Sequence, residues 1–434
     1  MGALTQAGVL LFRGLATDRL DPRKNQRAGV MAMAASRGNG RAALWPGVAA
    51  LAVATAHLIA LLAVERPAVV IALLAAGIAV VVAAAWLGLF GRVSGAFAEH
   101  ENRLALFAVA ALIAVAAVFH EDHFVLLLVT TVLLYSVATL GLNIQFGYAG
   151  VLNFAGASFF GIGAYTSAVL NTHTAIPHLV VLLIGGLLAA VIGSLLLVPV
   201  LRTRGHYAAV VTIAFALLLK TFLEVNDILG GPQGMQVPSM KILGWSFNDN
   251  IEIAGVSLSF YMNYFVVSLL LLIGAFIVVR RLERSWVGLN LDALRLDETA
   301  ASCFGLDIAR WKITAFLVGN FLIGIAGALF GMVGSFVAPN NYTFADSLIL
   351  VSILLLGGIG NPWGLIIGTI IVVVVPEKLQ TTRRLRGYIQ FQTLHARAAG
   401  VLDREAEAAA RQDDGRGKLQ TRSTLEERGS VEPK

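Results

Sequence analysis

The sequence predicts an all-α fold, a polytopic transmembrane bundle of about 10–11 helices. Three observations lead there. Long apolar stretches follow one another across residues 43–375, separated by short polar loops. The chain is 57% hydrophobic and 13% charged, where soluble domains carry ~25% charged residues, and its mean hydropathy is +0.79. The apolar runs are continuous rather than alternating and roughly two to three times too long for barrel strands. Inside lipid only a helix or a closed barrel satisfies every backbone N–H and C=O internally, so continuous runs mean helices.

In chain order, spans are expected near residues 43–63, 67–90, 104–119, 124–146, 150–170, 178–201, 207–223, 259–279 and 313–335. A broken apolar pair follows at 347–357 and 363–375, which reads either as one long bent crossing or as two elements lacking a final helix. The segment at 104–119 is short for a crossing and invites extension. Four regions follow: a basic N-terminal arm (1–42), extension helices (43–123), a core (124–380) and a polar, partly disordered tail (381–434) with a short helix around 396–411.

Positive charge sets the expected sidedness. The arm carries Arg13, Arg19, Arg23, Lys24, Arg27, Arg37 and Arg41 against Asp18 and Asp21. With that arm cytoplasmic, the loops bearing Arg92 and Arg103, Arg202 and Arg204, and residues 280–312 also fall inside. The loops at 120–123, 171–177 and 225–258, poor in Lys and Arg, fall outside, as the positive-inside rule requires. The net charge of +6 therefore reflects topology rather than a nucleic-acid surface. Residues 1–41 lack the apolar core of a cleavable signal. The single Cys303 excludes an internal disulfide framework. The scattered histidines offer no metal site, and no Walker A sequence is present, so no metal or cofactor is expected on this chain.

Four segments depart from plain apolar sequence. Residues 140–170 hold Gly141, Gly147, Gly150, Gly156, Gly161 and Gly163 with Asn143, Gln145 and Asn153 among apolar neighbours. Taken alone, these glycines fit either close helix packing or a partly unwound element beside a solute path. Residues 201–235 combine the Arg202, Arg204 and His206 turn with Lys220 and Glu224, four apart and able to face each other, and end in a Gly230-Gly231-Pro232-Gln233-Gly234 turn cluster. Residues 280–316 place charged and apolar residues at helical spacing. Leu291, Leu294, Ala301 and Phe304 are expected to form one apolar edge, and Gly305 a C-terminal cap. Such amphipathic elements dock on partners. Residues 344–379 are broken by Gly357, Gly358, Gly360 and Pro362, where a turn or kink is required. Buried acids are nearly absent, which argues against a proton-driven carrier, and no catalytic constellation is visible.

Together and in this order, these motifs resemble the permease subunit of branched-chain amino-acid ABC importers, the LivM type. The resemblance lies in Asn143-Ile-Gln-Phe-Gly147-Tyr-Ala-Gly150, Phe160-Gly-Ile-Gly-Ala-Tyr165, Leu201-Arg-Thr-Arg-Gly-His-Tyr207 and Gly230-Gly-Pro-Gln-Gly234. It continues in Arg295-Leu-Asp-Glu298 with Ala300, Ala301 and Gly305, in Gly324-Ile-Ala-Gly-Ala-Leu329, in Phe344-Ala-Asp-Ser347 and in Gly357-Gly-Ile-Gly360. It covers residues 130–380, and helices before residue 123 are similar in number to an extension some such permeases carry.

The resemblance implies a non-enzymatic, multi-pass subunit of the bacterial inner (plasma) membrane with its N-terminus cytoplasmic. It implies pairing with a homologous second permease subunit, cytoplasmic ABC ATPase subunits that consume the ATP, and a periplasmic substrate-binding protein, with no nucleic acid. The solute path is then expected at Asn143, Gly147, Gly150, Asn153, Gly161, Gly163 and Tyr165. The ATPase-coupling loop is expected at Arg295, Asp297, Glu298, Ala300, Ala301 and Gly305, and the helix break at Gly357, Gly358, Gly360 and Pro362. Permeases for urea or short-chain amides share much of this pattern. The chain departs from it at Leu217, where the family has an acid, and at Leu289, where a basic residue is usual. It also turns polar after Gln380, where one further span is implied.

Overall fold

The computed structural model describes residues 44–64, 66–201, 207–242, 244–249, 251–253 and 256–380. The basic arm, the Arg202, Arg204 and His206 turn, and the polar tail with its expected short helix lie outside the described residues. The chain divides into two compact units, residues up to 59 with 74–113, and 60–73 with all that follows 114.

Three helices run through the first part of the chain: α1 (Trp45–Ala63), α2 (Pro67–Trp86) and α3 (Leu89–Val118). Within the first unit, Gly47 lets the Leu104 side chain approach to where a Cβ would sit 2.8 Å away, and Gly77 does the same for His57. The expected polar loop between spans, with Arg92 and Arg103, is corrected here. Those residues are helical: α3 is two helical stretches joined across a kink at His100 (φ −120°, ψ 32°). Ala96 and Leu104 on either side of that joint are fully buried, so packing carries the helix through its polar stretch.

The second unit is built around α4 (His123–Asn143), α5 (Gly156–His173), α6 (His178–Leu201), α7 (Tyr207–Val225), α8 (Tyr261–Glu283), α9 (Trp286–Leu296), α10 (Glu298–Cys303), α11 (Ile308–Gly334), α12 (Phe344–Gly357) and α13 (Pro362–Gln380). Ten helices among the described residues are long and apolar enough to cross a membrane. The apolar windows of α4 and α11 are 83% and 78% buried, so these two form the axis of the unit.

Glycine lets the backbones touch around that axis. A Cβ at Gly163 on α5 would run into the Gly324 carbonyl of α11, and one at Gly327 into the Phe160 carbonyl of α5. Gly141 on α4 would meet the Gly319 carbonyl, and Gly186 on α6 the Ile325 side chain. Apolar side chains gain little by leaving lipid for a helix interface, so close van der Waals contact between small residues supplies the association.

The described residues between 226 and 258 form a small lobe of two 3₁₀ turns and short strands. Met235–Gln236 pairs antiparallel with Phe336–Val337, tying the lobe to the α11–α12 turn. Gly230 and Gly234 adopt φ of +84° and +74°, and a Cβ on Gly234 would strike the Val337 carbonyl. The break at 357–361 separates two elements rather than bending a single crossing. Gly364 abuts the Gly357 carbonyl and Gly368 lies against Ile353, so α12 and α13 run antiparallel as a tight helical hairpin. Gly358 and Gly360 have φ of +91° and +83°, and Pro362 opens α13 at the one helical position that tolerates it. Near its far end the buried Lys378 ammonium donates to the Leu62 carbonyl at 2.6 Å.

Replacing Gly327 by Leu forces α5 and α11 apart and should abolish a monodisperse, folded species in detergent, read by size-exclusion profile and thermal melt. Gly274→Ala on α8, where nothing lies within 4 Å of the added Cβ, should leave both unchanged.

Candidate functional site at the opened end of helix α4

After Asn143 the backbone of α4 widens into a π-turn, Ile144–Tyr148, and then leaves helical geometry until α5 begins at Gly156. The expected span beginning at 150 therefore starts six residues later, and the intervening stretch is irregular, largely buried backbone. Such backbone survives away from water only where protein satisfies its polar groups, and here neighbouring elements do so one by one. Ala149 N–H returns to the Ile144 carbonyl at 3.2 Å and Val151 N–H to that of Gln145 at 2.9 Å. Phe154 N–H donates to Thr212 Oγ1 of α7 at 3.1 Å. Ala155 N–H donates to Asn153 Oδ1 at 2.9 Å, and Ala157 N–H to Ser347 Oγ of α12 at 3.1 Å.

A chain of amides fixes this shape. Asn153 Nδ2 donates to Gln145 Oε1 at 2.6 Å, and Gln145 Nε2 donates to Asn320 Oδ1 of α11 at 2.8 Å. All three side chains have no exposed surface. The Gln145 amide reaches Asn320 because Gly319 has no side chain: a Cβ there would lie 2.6 Å from Gln145 Nε2.

The carbonyl of Gly147 is taken by a residue from a distant part of the chain. Arg295, in the last turn of α9, donates through Nη1 to Gly147 O at 2.7 Å. The same guanidinium carries Asp292 at 3.7 Å on its other nitrogen. Its aliphatic stem crosses Gly150, whose φ of +66° and whose clearance of 3.2 Å to Arg295 Cγ both call for glycine. Gly360, in the α12–α13 hairpin turn, donates its N–H to Asn143 Oδ1 at 2.8 Å. A Cβ on Gly147 would collide with that same Asn143 oxygen and come within 3.0 Å of Gly360 N. Three separate groups of sequence-selected residues, Asn143 with Gly147 and Gly150, Arg295, and Gly360, thus meet at one point.

The α9–α10 segment is short and well capped. Ser285 caps α9, and Asp297 caps α10 by accepting from Thr299 N at 2.8 Å and Ala300 N at 3.0 Å. Leu306 N–H returns to the Ala301 carbonyl, and Gly305 at φ +82° closes the helix. Glu298 pairs with Lys312 of α11 at 2.7 Å. Leu291, Leu294 and Ala301 are buried, as the apolar edge requires, but Phe304 is 89% exposed and is corrected out of it. The edge ends at Ala301 because α10 stops two residues later. Phe304 joins Leu296, Leu289 and Trp286 as large apolar groups open to the surroundings.

Of the other selected residues, Gly163 lies against α11, Gly161 carries the ring of Tyr342, and Tyr165 is buried beside that ring. Lys220 and Glu224 face each other at 3.3 Å. Sequence reasoning passed over Asn320, Thr212 and Ser347 as site residues. Asn320 was detectable as a lone amide in an apolar span, whereas Thr212 and Ser347 look like ordinary helix hydroxyls until the opened backbone reaches them. Among the described residues no three His, Cys, Asp or Glu side chains cluster as a metal site.

Ten helices long and apolar enough to cross a bilayer, among the described residues, define a multi-pass helical membrane protein. The family model for the branched-chain amino acid transport system permease component matches residues 124–383, and the chain belongs to that family. It is 37% identical over 290 residues to the high-affinity branched-chain amino acid transport system permease protein LivM of Escherichia coli K12, covering 63% of this chain and 68% of that one. It is 36% identical over 265 residues to LivM of Salmonella typhimurium, covering 58% of this chain and 62% of that relative. A probable branched-chain amino acid transport permease protein LivH of Methanocaldococcus jannaschii is 25% identical over 243 residues, 54% of this chain and 73% of that one. No solved structure matches.

Gln145→Ala breaks both links of the amide chain and leaves Asn153 Nδ2 and Asn320 Oδ1 buried without those partners. It should destabilise the protein by about 1–3 kcal/mol per orphaned group, read as a fall in denaturation midpoint in detergent. Asn171→Ala, whose side-chain amide has no partner, should not.

Proposed function

We propose that the chain is a permease subunit of an ATP-driven ABC importer that translocates branched-chain aliphatic amino acids. A periplasmic binding protein delivers the amino acid, a homologous second permease completes the path, and cytoplasmic ATPase subunits supply the work. The observation that carries this reading is the bond from Arg295 to the Gly147 carbonyl. It joins a capped two-helix segment, part of whose surface is exposed, to the opened end of α4.

In this reading α9 and α10 face the cytoplasm, and Trp286, Leu289, Leu296 and Phe304 seat in an ATPase groove. A push on that segment passes along two routes. Glu298 bears on Lys312 and hence on α11. Arg295 bears on the π-turn of α4 and, through Asn143, on the hairpin turn at Gly360. Selectivity belongs chiefly to the binding protein, so the core needs no deep pocket. The likeness to both LivM-named and LivH-named proteins supports a pair of related permeases sharing one architecture. The charge pattern of the loops supports an inner-membrane location with a cytoplasmic N-terminus.

Reconstituted with its partner subunits in proteoliposomes, the chain should support ATP-dependent leucine uptake. Uptake of urea or a short amide in place of leucine would move the substrate assignment, and uptake without ATP would overturn the importer reading. Arg295→Ala should lower leucine uptake at least about tenfold, as losing a charge-assisted bond of roughly 1.5–3 kcal/mol implies, while basal ATP hydrolysis persists. Loss of uptake and hydrolysis in equal proportion would instead make Arg295 a docking residue. Glu298→Lys should impair coupling, and the added Lys312→Glu exchange should restore part of it.

A further inference from the structure

Five aromatic rings converge inside the second unit: Tyr135 on α4, Phe160 and Tyr165 on α5, Phe330 on α11, and Tyr342 in the α11–α12 turn. Tyr135 lies 5.7 Å from Phe160 and 6.0 Å from Phe330, and Phe160 lies 5.2 Å from Phe330. Tyr342 stands 6.3 Å from Phe160 and meets Tyr165 edge to face at 6.0 Å. Its ring rests on Gly161, where a Cβ would come within 2.8 Å of Tyr342 Cγ.

The hydroxyls of Tyr165 and Tyr342 are both buried, and neither has a hydrogen-bond partner. A buried phenol normally finds one, and each unmet group costs about 1–3 kcal/mol. Tyr264, also buried, shows the usual arrangement, accepting the Met240 N–H at 3.2 Å. Phenylalanine would fill the Tyr165 and Tyr342 positions with equal apolar area and no such cost.

The turn that carries Tyr342 is held firmly at both ends. Phe336–Val337 pairs with the 235–236 strand, and Ser335 takes a left-handed φ of +54°. On the other side Asp346 Oδ2 accepts from Thr343 N at 2.8 Å and Thr343 Oγ1 at 2.6 Å in a capping box. The scaffold thus fixes the ring while leaving its hydroxyl unused.

The geometry points to a solute subsite at this cluster, taking a small zwitterionic amino acid with an aliphatic side chain. The Tyr165 and Tyr342 hydroxyls donate to its carboxylate, and the faces of Tyr135, Phe160 and Phe330 receive its side chain. In this structure the tyrosines pack against each other and the subsite is closed; the strand pair through the 226–258 lobe gives an extracytoplasmic partner a handle on the Tyr342 turn. The inference rests on the amino-acid permease reading and adds where the solute is held in passing.

The test is Tyr165→Phe and Tyr342→Phe, singly and together, in the complete reconstituted importer. At saturating loaded binding protein the double variant should show leucine uptake reduced about tenfold, as for a lost pair of bonds to a charged acceptor. Millimolar leucine should raise the melting temperature of the detergent-purified wild-type complex, through preferential binding to the folded state, and not that of the double variant. Uptake and a leucine-dependent melting shift equal to wild type in the double variant would overturn the subsite. Absence of leucine uptake by the wild-type complex, with another solute carried, would instead overturn the substrate reading beneath it.

Discussion

The structure depends on one constraint: a carbonyl freed at the opened end of a buried helix must find a donor. Gly147 O is that carbonyl, and its donor is Arg295, 148 residues away in sequence. A hydrogen bond from a guanidinium is about twice as strong as a neutral one, and the guanidinium is only partly covered, so the bond forms without a full desolvation cost. Everything nearby is shaped to permit this bond. Gly150 makes room for the arginine stem, Gly147 makes room for the Asn143–Gly360 contact, and Asp297 ends α9 just past Arg295 by capping α10.

The amide chain from Asn153 through Gln145 to Asn320 serves the same end by other means. It cannot be the main source of stability, because each amide exchanged water for protein at a small net gain. Its contribution is specificity: the opened segment has one shape in which all three amides are bonded, and slipping by a residue would strand them in an apolar interior. Glycine contacts between α5, α6 and α11 bring the backbones close around it, and fully buried Leu142, Ile144, Phe159 and Phe316 fill the space between them. The polar knot therefore sits in a tightly packed frame, and displacement of one member must displace its neighbours.

Much of the frame was legible in sequence. Continuous apolar runs defined the helices, and their ends came out within a few residues where a cap or proline marked them, as at Pro362 and Gly305. The α3 helix was misjudged because polar residues between 91 and 103 read as a loop, although burial of Ala96 and Leu104 holds them in helix. The α12–α13 hairpin stayed ambiguous because reversal depends on glycine contacts between residues far apart along the two arms, 353 with 368 and 357 with 364, which no local pattern encodes. Within the site, glycines and amides in one segment were visible, but their convergence with Arg295 and Gly360 was not. Proximity across 148 or 217 residues is a property of packing. Phe304 shows the converse: helical spacing assigned it to a buried edge, and the early end of α10 turned it outward.

If Arg295 clamps the coupling segment to the opened helix and the hairpin turn, these parts move as one body during transport. Spin labels at Thr299 and Ile359, in a chain whose exposed Cys303 is replaced by Ser, read this directly as a distance distribution in the assembled complex. That distance should stay constant between the nucleotide-free and ATP-bound states, and should broaden and shift with ATP once Arg295 is replaced by Ala. A nucleotide-dependent change of the same size in the chain retaining Arg295 would contradict the account.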